Sequence, residues 1–135
     1  MQIKKAIVTG GAGFIGSNLV DKLIDMGAEV HVIDDLSTGK KENINSKAIF
    51  HKIDISEIDS RHNYYEFKNT DVIFHCAALA RVQPSIEDPV SFDKINTGGT
   101  LRMLKLAHDL GVKRFIYSAS SSCYGNNKKF PTPEE

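Results

Sequence analysis

Five short apolar runs divide the chain, and stretches with helical spacing separate several of them. The first run ends at glycine, the second and third at aspartate, the fourth at histidine and the fifth at serine. Short apolar runs of this kind are typical of strands buried in a parallel sheet. Strands that alternate with helices favour an α/β fold with right-handed crossovers, and the doubly wound strand order 3-2-1-4-5 is the expected arrangement. The predicted strands span Ile3–Thr9, Glu29–Ile33, Ala48–Ile53, Asp71–His75 and Arg114–Ser118.

Two helices are predicted from the spacing of apolar positions and from capping residues. The first spans Phe14–Met26, and Gly27 stands where a left-handed C-cap residue is needed. The second and longest precedes the fifth strand, with Asp88 as N-cap, Pro89 as first residue and Gly111 after the last turn. Its apolar stripe is expected to include Phe92, Ile95, Leu101, Leu104 and Leu106.

Composition indicates one soluble globular domain. The 135 residues are 41% hydrophobic and 25% charged, and 17 basic residues balance 17 acidic ones, so no positive field exists for a nucleic acid or an anionic membrane. Glycines interrupt the first apolar run, which argues against a signal peptide or a membrane span. Cys76 and Cys123 lack C-x-x-C spacing, and no histidine forms a metal-spaced group with them. We therefore expect a cytoplasmic protein without a metal site.

The segment at 9–16, TGGAGFIG, joins the first strand to the first helix, as a dinucleotide-binding turn requires. Gly10 is expected to allow the tight turn, Gly13 to let the backbone approach a pyrophosphate, and Gly16 to let the helix pack on the sheet. The N–H groups at the positive end of the helix would then hold the phosphates. The alternative is a glycine turn with a structural role alone.

Two acidic residues follow the second strand. Asp34 stands at the strand end, where its carboxylate can accept hydrogen bonds from the hydroxyls of the adenosine ribose. It would also repel a 2′-phosphate, and Asp35 doubles that charge, so NAD is favoured over NADP. Lys40 and Lys41 are near enough in sequence to weaken this inference, but they are expected to be solvated loop cations.

Residues after the third and fourth strands are further candidates. Asp54 and Ile55 are expected near the adenine edge, and the alternative is a turn aspartate beside a core isoleucine. Ala77 and Ala78 are small enough to let a cofactor lie against the backbone, although small residues also serve ordinary packing. Their position at the carboxyl end of a strand favours the site.

Four motifs, taken in order, resemble the extended short-chain dehydrogenase/reductase superfamily. They are TGGAGFIG at 9–16, DDLSTG at 34–39, HCAA at 75–78 and SASSSCYG at 118–125. Within the superfamily the match, from about Ile3 to Gly125, most resembles the UDP-hexose 4-epimerases. The resemblance implies a Rossmann-type NAD-binding domain over 1–125 that is truncated after the fifth strand. It also implies a polar tail over 126–135 and the absence of a substrate domain.

The resemblance assigns roles to further residues. Asn96 is similar to an asparagine that supports the central helix and the cofactor site, which agrees with the propensity cost of asparagine inside a helix. Ser120 corresponds to the hydroxyl that hydrogen-bonds the reacting oxygen of the sugar, with Ser121 and Ser122 as alternates, whereas a serine run after a strand is otherwise typical of a turn. The other implied cofactor contacts are Phe14, Ile15, Leu36, Ser37, Gly39, Leu79 and Ser118.

Enzymes of this kind oxidise a sugar carbinol by hydride transfer to NAD, while a tyrosinate takes the proton and a lysine lowers the pKa of that tyrosine. Epimerases then return the hydride to the other face of the 4-keto sugar. The resemblance therefore implies a UDP-hexose of the glucose or galactose type as substrate, and a homodimer when full length. By the same resemblance, related dehydratases carry Asp and Glu where Ser121 and Ser122 stand, and related decarboxylases carry Glu where Ser122 stands, which favours epimerisation.

Two alternatives remain at this point: a non-catalytic NAD-sensing module, and another extended reductase or dehydratase that acts on nucleotide sugars. The tyrosine and lysine of the family form a Tyr-x-x-x-Lys pair on one helix face after the fifth strand. Tyr64 and Lys68 have the spacing but precede the fourth strand, and Tyr124 and Lys128 enclose a turn-like segment. We reject both pairs and expect this chain to be inactive by itself.

Overall fold

The sheet of the computed structural model, which describes residues 2–59, 64–126, 128–129 and 131–133, has five strands in the order β3-β2-β1-β4-β5. All four strand pairs are parallel. The predicted α/β fold and the order 3-2-1-4-5 are therefore confirmed, with small shifts at the strand ends. The strands are β1 (Lys5–Thr9), β2 (Glu29–Asp34), β3 (Ile49–Lys52), β4 (Val72–His75) and β5 (Arg114–Tyr117).

Helix α1 (Phe14–Asp25) connects β1 to β2 and ends as predicted, because Gly27 adopts a left-handed φ of +84°. Before β5 the chain forms α2 (Val82–Glu87), α3 (Pro89–Phe92), a π-helical segment (Asp93–Gly99) and α4 (Thr100–Asp109). No helix in the described ranges is long and apolar enough to cross a bilayer. Short 3-10 turns occupy Lys41–Asn43, Ile55–Glu57, Tyr65–Phe67 and Ser121–Tyr124.

The long helical stretch starts and stops where the sequence predicts. The Asp88 carboxylate caps it by accepting a hydrogen bond from the Ser91 N–H at 3.1 Å, and Gly111 has a φ of +66°. The short helix α2 was not predicted. The π-helical segment was not predicted either, because apolar spacing does not distinguish an i→i+5 turn from an α-helical one.

The predicted apolar stripe of this helix is wrong at two positions. Leu101 is 67% exposed and Leu104 is 45% exposed, whereas Met103 is fully buried. Gly99, just before α4, packs against Ile55 of the 3-10 turn after β3, and Met103 joins the same core cluster as Ile55, which sets the inward face. Residues two apart on a helix point about 200° apart, so Leu101 faces away when Met103 faces inward.

Two apolar clusters cover the two faces of the sheet. Successive side chains of β1 alternate between them, as strand geometry requires: Ile7 belongs to one, and Ala6 and Val8 belong to the other. The first cluster receives Met103 and Leu106 from α4 as well as Phe67. Because both faces are covered, the strands are almost continuously apolar, and their carboxyl ends are held at one edge of the sheet.

Two histidines lie at one side of the first cluster. His31 is 2% exposed, and its Nδ1 lies 2.9 Å from Nε2 of His51. Its Nε2 lies 2.9 Å from a Glu29 carboxylate oxygen, and Phe67 packs edge-on against both rings. Burial lowers the pKa of His51, with the nearby His31 as a smaller cause. The pair therefore serves packing and hydrogen bonding.

Phe67 is expected to contribute most of the stability of this region. It is completely buried, whereas Tyr65 on the same 3-10 turn is 70% exposed. The substitution Phe67→Ala should lower the free energy of unfolding by about 3–5 kcal/mol through lost burial and a residual cavity. The matched change Tyr65→Ala should cost less than about 1 kcal/mol. Urea unfolding of both variants measures this, and equal losses would contradict the described packing.

Candidate functional site

A cavity of about 310 Å3 opens at the carboxyl edge of the sheet, where β1 and β2 end beside the start of α1. It brings together most of the predicted cofactor residues, namely Gly10, Gly13, Phe14, Ile15, Gly16, Asp34, Asp35, Ser37, Gly39, Asp54, Ile55, Ala77, Ala78 and Leu79. Leu36, Asn96, Ser118 and Ser120 to Ser122 lie outside its lining. Sequence reasoning missed Ile33, Thr38, Ile53, Cys76 and Ile95, and most of these could have been found as strand-end neighbours of predicted residues.

The glycine turn brings three pieces of backbone into contact. Gly10 has a φ of +70°, and a Cβ added to it would lie 2.8 Å from the Ala77 amide nitrogen. A Cβ at Gly16 would lie 2.2 Å from the Gly10 carbonyl oxygen. Neither neighbour can move aside, because both are main-chain atoms. A side chain at either position would therefore push α1 and the end of β4 away from the turn.

Helix α1 presents its N-terminus to the cavity. Its N-cap is Gly13, which offers no side-chain acceptor, and the first N–H groups of any helix lack intrahelical partners. A Cβ at Gly13 would meet only the Gly10 carbonyl oxygen, at 3.3 Å. Phe14 and Ile15, the first helical residues, are 84% and 66% exposed. The helix start thus combines polar N–H groups with an uncovered apolar surface.

The Asp34 carboxylate lies at the floor of the cavity and is part of the turn itself. It accepts hydrogen bonds from the Ala12 N–H at 3.0 Å and from the Leu36 N–H at 2.8 Å. Leu36 adopts a φ of +64°, which that bond helps to hold. A carboxylate can accept about four hydrogen bonds, so both oxygens of Asp34 retain capacity for further donors.

The rest of the acidic loop is arranged around Asp35, whose Oδ1 accepts hydrogen bonds from the N–H and the hydroxyl of Ser37 at 2.8 and 2.6 Å. Lys40 and Lys41 are exposed and do not line the cavity. Among the described residues that line it, none is lysine, arginine or histidine. The local field therefore comes from three carboxylates, those of Asp34, Asp35 and Asp54, and from the end of one helix.

The chain after β3 contributes one polar and one apolar residue to the cavity lining. The Asp54 carboxylate accepts a hydrogen bond from the Ser56 N–H at 2.8 Å, and Ile55 is 4% exposed. Both line the cavity, so the turn aspartate and the core isoleucine are also cavity residues.

Asn96 lies in the π-helical segment and acts on the cavity through the main chain. Its amide oxygen accepts a hydrogen bond from the Leu79 N–H at 2.8 Å, and its amide nitrogen donates to the Leu79 carbonyl oxygen at 2.9 Å. This two-point contact fixes the loop that follows β4. A shallower groove of about 470 Å3 adjoins it and includes Asn96, Leu79 and Arg81.

The serine run after β5 forms a capped turn. Ser120 Oγ accepts a hydrogen bond from the Ser122 N–H at 3.1 Å, at the start of the 3-10 turn Ser121–Tyr124. The hydroxyl hydrogen of Ser120 remains available to another acceptor. Ser118 lies nearer the cavity, because its N–H donates to the His75 carbonyl oxygen and its Oγ lies 3.4 Å from Cys76 Sγ.

Neither Tyr-x-x-x-Lys pair belongs to the cavity lining. Tyr64 stacks on Phe67 with ring centroids 5.4 Å apart, and Lys68 Nζ lies 4.4 Å from the centroid of Tyr65. Tyr124 ends a 3-10 turn and precedes Gly125, whose φ is +61°, so the helical turn that contains Tyr124 stops there.

Comparison with known proteins finds relatives that match nearly the whole length of this chain. The chain is 41% identical to a UDP-glucose 4-epimerase of Mycolicibacterium smegmatis, a match that covers 97% of this chain and 44% of the relative. It is 42% identical to UDP-glucuronic acid decarboxylase 1 of Arabidopsis thaliana, over 96% of this chain and 29% of the relative. The chain thus spans less than half the length of these relatives.

A solved structure matches equally well. The UDP-glucose 4-epimerase of Thermotoga maritima, determined with UDP-glucose, superposes with a TM-score of 0.88 at 43% identity. That match covers 96% of this chain and 43% of the other. The model of the NAD dependent epimerase/dehydratase family matches residues 6–135. This agrees with the glycine turn and Asp34 in one cavity, and confirms NAD as the cofactor of the family. The chain belongs to the NAD dependent epimerase/dehydratase family.

Proposed function

We propose that the cavity binds NAD and that residues 1–125 are the dinucleotide-binding domain of a nucleotide-sugar epimerase. The observation that carries the proposal is the meeting of the glycine turn, the N-terminus of α1 and Asp34 around one cavity. Phosphates suit a helix N-terminus and ribose hydroxyls suit a carboxylate at the end of the second strand. The polar tail predicted over 126–135 would lie outside this domain, and positions 127, 130, 134 and 135 of it are not among the described residues.

The residues present fit a dinucleotide whose only phosphates are those of its pyrophosphate. No basic side chain among the described residues lines the cavity, so a phosphate must be held by N–H groups at the start of α1. The open space beside Gly13 leaves room for that approach. The exposed Phe14 and Ile15 would be covered by the bound molecule.

Asp34 supports the choice of NAD over NADP. Its carboxylate keeps capacity for ribose hydroxyls after its two main-chain hydrogen bonds. A 2′-phosphate there would meet Asp34 and Asp35 together, and the exposed Lys40 and Lys41 do not line the cavity to offset that charge.

We propose a UDP-hexose of the glucose or galactose type as the substrate of the whole enzyme. Bound NAD supplies a hydride acceptor and donor. In this chain, Ser120 would donate its free hydroxyl hydrogen to the reacting sugar oxygen, with Ser121 and Ser122 as alternates. The groove at Leu79 and Arg81 would lie on the substrate side. We also propose that the whole enzyme is a homodimer and is located in the cytoplasm.

A decarboxylase is the second candidate, because the Arabidopsis relative is 42% identical to this chain. In the superfamily, dehydratases use acids at the positions of Ser121 and Ser122, and decarboxylases keep one at the position of Ser122. A hydroxyl cannot replace a carboxylate as a base near neutral pH. Epimerisation requires neither acid. A non-catalytic NAD sensor would need the cavity but no donor at Ser120.

The substitution Gly13→Ala tests the NAD proposal. The added methyl group would lie 3.3 Å from the Gly10 carbonyl oxygen, a tight contact with a main-chain atom, and would occupy the space where the pyrophosphate approaches the backbone. We expect the Kd for NAD to rise about tenfold or more, with at most a small fall in the midpoint of thermal unfolding. Isothermal titration calorimetry measures the Kd.

Gly98→Ala is the matched control, because a Cβ there has one contact at an ordinary 3.9 Å and Gly98 does not line the cavity. It should leave the Kd unchanged. Unaltered NAD binding by Gly13→Ala would place the cofactor elsewhere.

Asp34→Asn tests the choice of cofactor. The change removes the charge that would bind the ribose hydroxyls and repel a 2′-phosphate, so affinity for NAD should fall by about tenfold and the preference over NADP should shrink. Asp35→Asn, which loses a charge beside the same cavity, should have a smaller effect. Titration of each of the two variants with NAD and with NADP gives the four dissociation constants needed. Equal affinities of the unsubstituted protein for both dinucleotides would refute the assignment.

The 135-residue chain should bind NAD without epimerising UDP-hexoses, because neither Tyr-x-x-x-Lys pair lines the cavity. Incubation with NAD and UDP-glucose, followed by chromatography of the nucleotide sugars, should reveal no UDP-galactose. Turnover that disappears in Tyr124→Phe and persists in Tyr64→Phe would restore Tyr124 and Lys128 as the acid–base pair.

A further inference from the structure

A buried histidine lies beneath the cavity wall and is not used by the function proposed above. His75 ends β4, is 1% exposed and stacks on Tyr117 of β5 with ring centroids 5.8 Å apart. Its Nδ1 lies 2.9 Å from Thr9 Oγ1, and its Nε2 lies 3.0 Å from Thr100 Oγ1. Both ring nitrogens therefore have hydroxyl partners, one at the end of β1 and one at the start of α4.

The hydroxyl groups on the two sides fix the direction of these hydrogen bonds. Thr100 Oγ1 donates to the Asn96 carbonyl oxygen at 2.6 Å, so it accepts from Nε2–H of His75. Thr9 Oγ1 accepts from the Ala77 N–H at 3.1 Å, so its own hydrogen is free to point to Nδ1. All donors and acceptors are satisfied by the uncharged imidazole with its proton on Nε2.

The His75 ring is linked by hydrogen bonds to both ends of residues 77–79, the part of the cavity wall that follows β4. On one side, Thr9 holds the Ala77 N–H, and Ala77 is the residue against which the Gly10 backbone packs. On the other side, Thr100 bonds to Asn96, whose side chain holds Leu79 at two points. Ala77 and Leu79 both line the cavity. Hydrogen bonds that begin at the His75 ring thus reach both Ala77 and Leu79.

We propose that His75 is a positioning residue for the dinucleotide site, and that its two hydrogen bonds hold residues 77–79 at the spacing from the glycine turn that a bound dinucleotide requires. This inference rests on the proposal that the cavity binds NAD. A nonpolar side chain of similar size would fill the same space but would leave the Thr9 and Thr100 hydroxyls without their partner.

Nuclear magnetic resonance of the imidazole nitrogens tests the hydrogen bonds without any ligand. We expect the spectrum of His75 to be that of the uncharged ring protonated on Nε2. Burial lowers the pKa of His75 to about 4, so this form should persist as the pH is lowered from 7 to 5. Protonation on Nδ1 at pH 7, or a charged ring at pH 5, would overturn the proposal.

Substitutions test the effect on binding. His75→Leu removes both hydrogen bonds and should raise the Kd for NAD about tenfold, whereas His75→Gln keeps one donor and one acceptor and should restore most of the affinity. Thr100→Val retains the shape of the side chain, removes the acceptor and should weaken binding even if His75→Leu does not fold. His31→Leu is the matched control, because His31 is equally buried but its ring nitrogens contact His51 and Glu29, neither of which lines the cavity.

The outcomes separate this inference from the function on which it rests. Absence of NAD binding by the unsubstituted protein would refute the proposed function, and the positioning role with it. Normal NAD binding by the unsubstituted protein, together with equal affinity of His75→Leu or Thr100→Val, would refute the positioning role alone. If His31→Leu and His75→Leu weakened NAD binding equally, the effect would be one of general destabilisation, and the positioning role of His75 would be overturned.

Discussion

The site depends on a steric constraint: main-chain atoms at the end of β1 approach other main-chain atoms where no Cβ fits. The Gly10 carbonyl oxygen occupies the space that a side chain at Gly16 would need, and the Ala77 backbone occupies the corresponding space beside Gly10. This contact sets the height of α1 above the sheet and the distance from the glycine turn to the loop after β4. The cavity is the space that remains between these three segments.

Polar groups around the cavity have structural partners as well as a proposed ligand. Asp34 holds the main chain at Ala12 and Leu36, and Asn96 holds the main chain at Leu79. Each group is therefore oriented before any ligand arrives, which lowers the cost of ordering on binding. It follows that a substitution at such a residue changes the shape of the site together with its chemistry. Comparison with a substitution that removes no polar side chain, such as Gly13→Ala, is needed to separate the two effects.

The parallel arrangement of the sheet explains why distant sequence motifs meet. All strands point the same way, so residues that follow β1, β2, β3 and β4 lie along one edge, and the crevice outside the carboxyl ends of parallel strands is where ligands of open α/β sheets bind. The mixed surface of the cavity, with N–H groups, carboxylates and exposed aliphatic and aromatic side chains, suits a ligand that has phosphate, ribose and planar ring portions. The membership of the chain in the NAD dependent epimerase/dehydratase family agrees with this surface.

Features that depend on neighbouring residues could be predicted from the amino-acid sequence. Strand positions, the ends of both main helices, the glycine turn and the carboxylate of Asp34 all follow from local spacing, capping and backbone freedom. Other features emerge only in the packed molecule: Leu101 and Leu104 are exposed, the helix before β5 contains a π-helical segment, and His75 bonds to Thr9 and Thr100. These features depend on which face of a helix meets the sheet and on hydrogen bonds between residues far apart in the chain. Local patterns carry no information about such contacts, because they are fixed only when the packed elements share one interior.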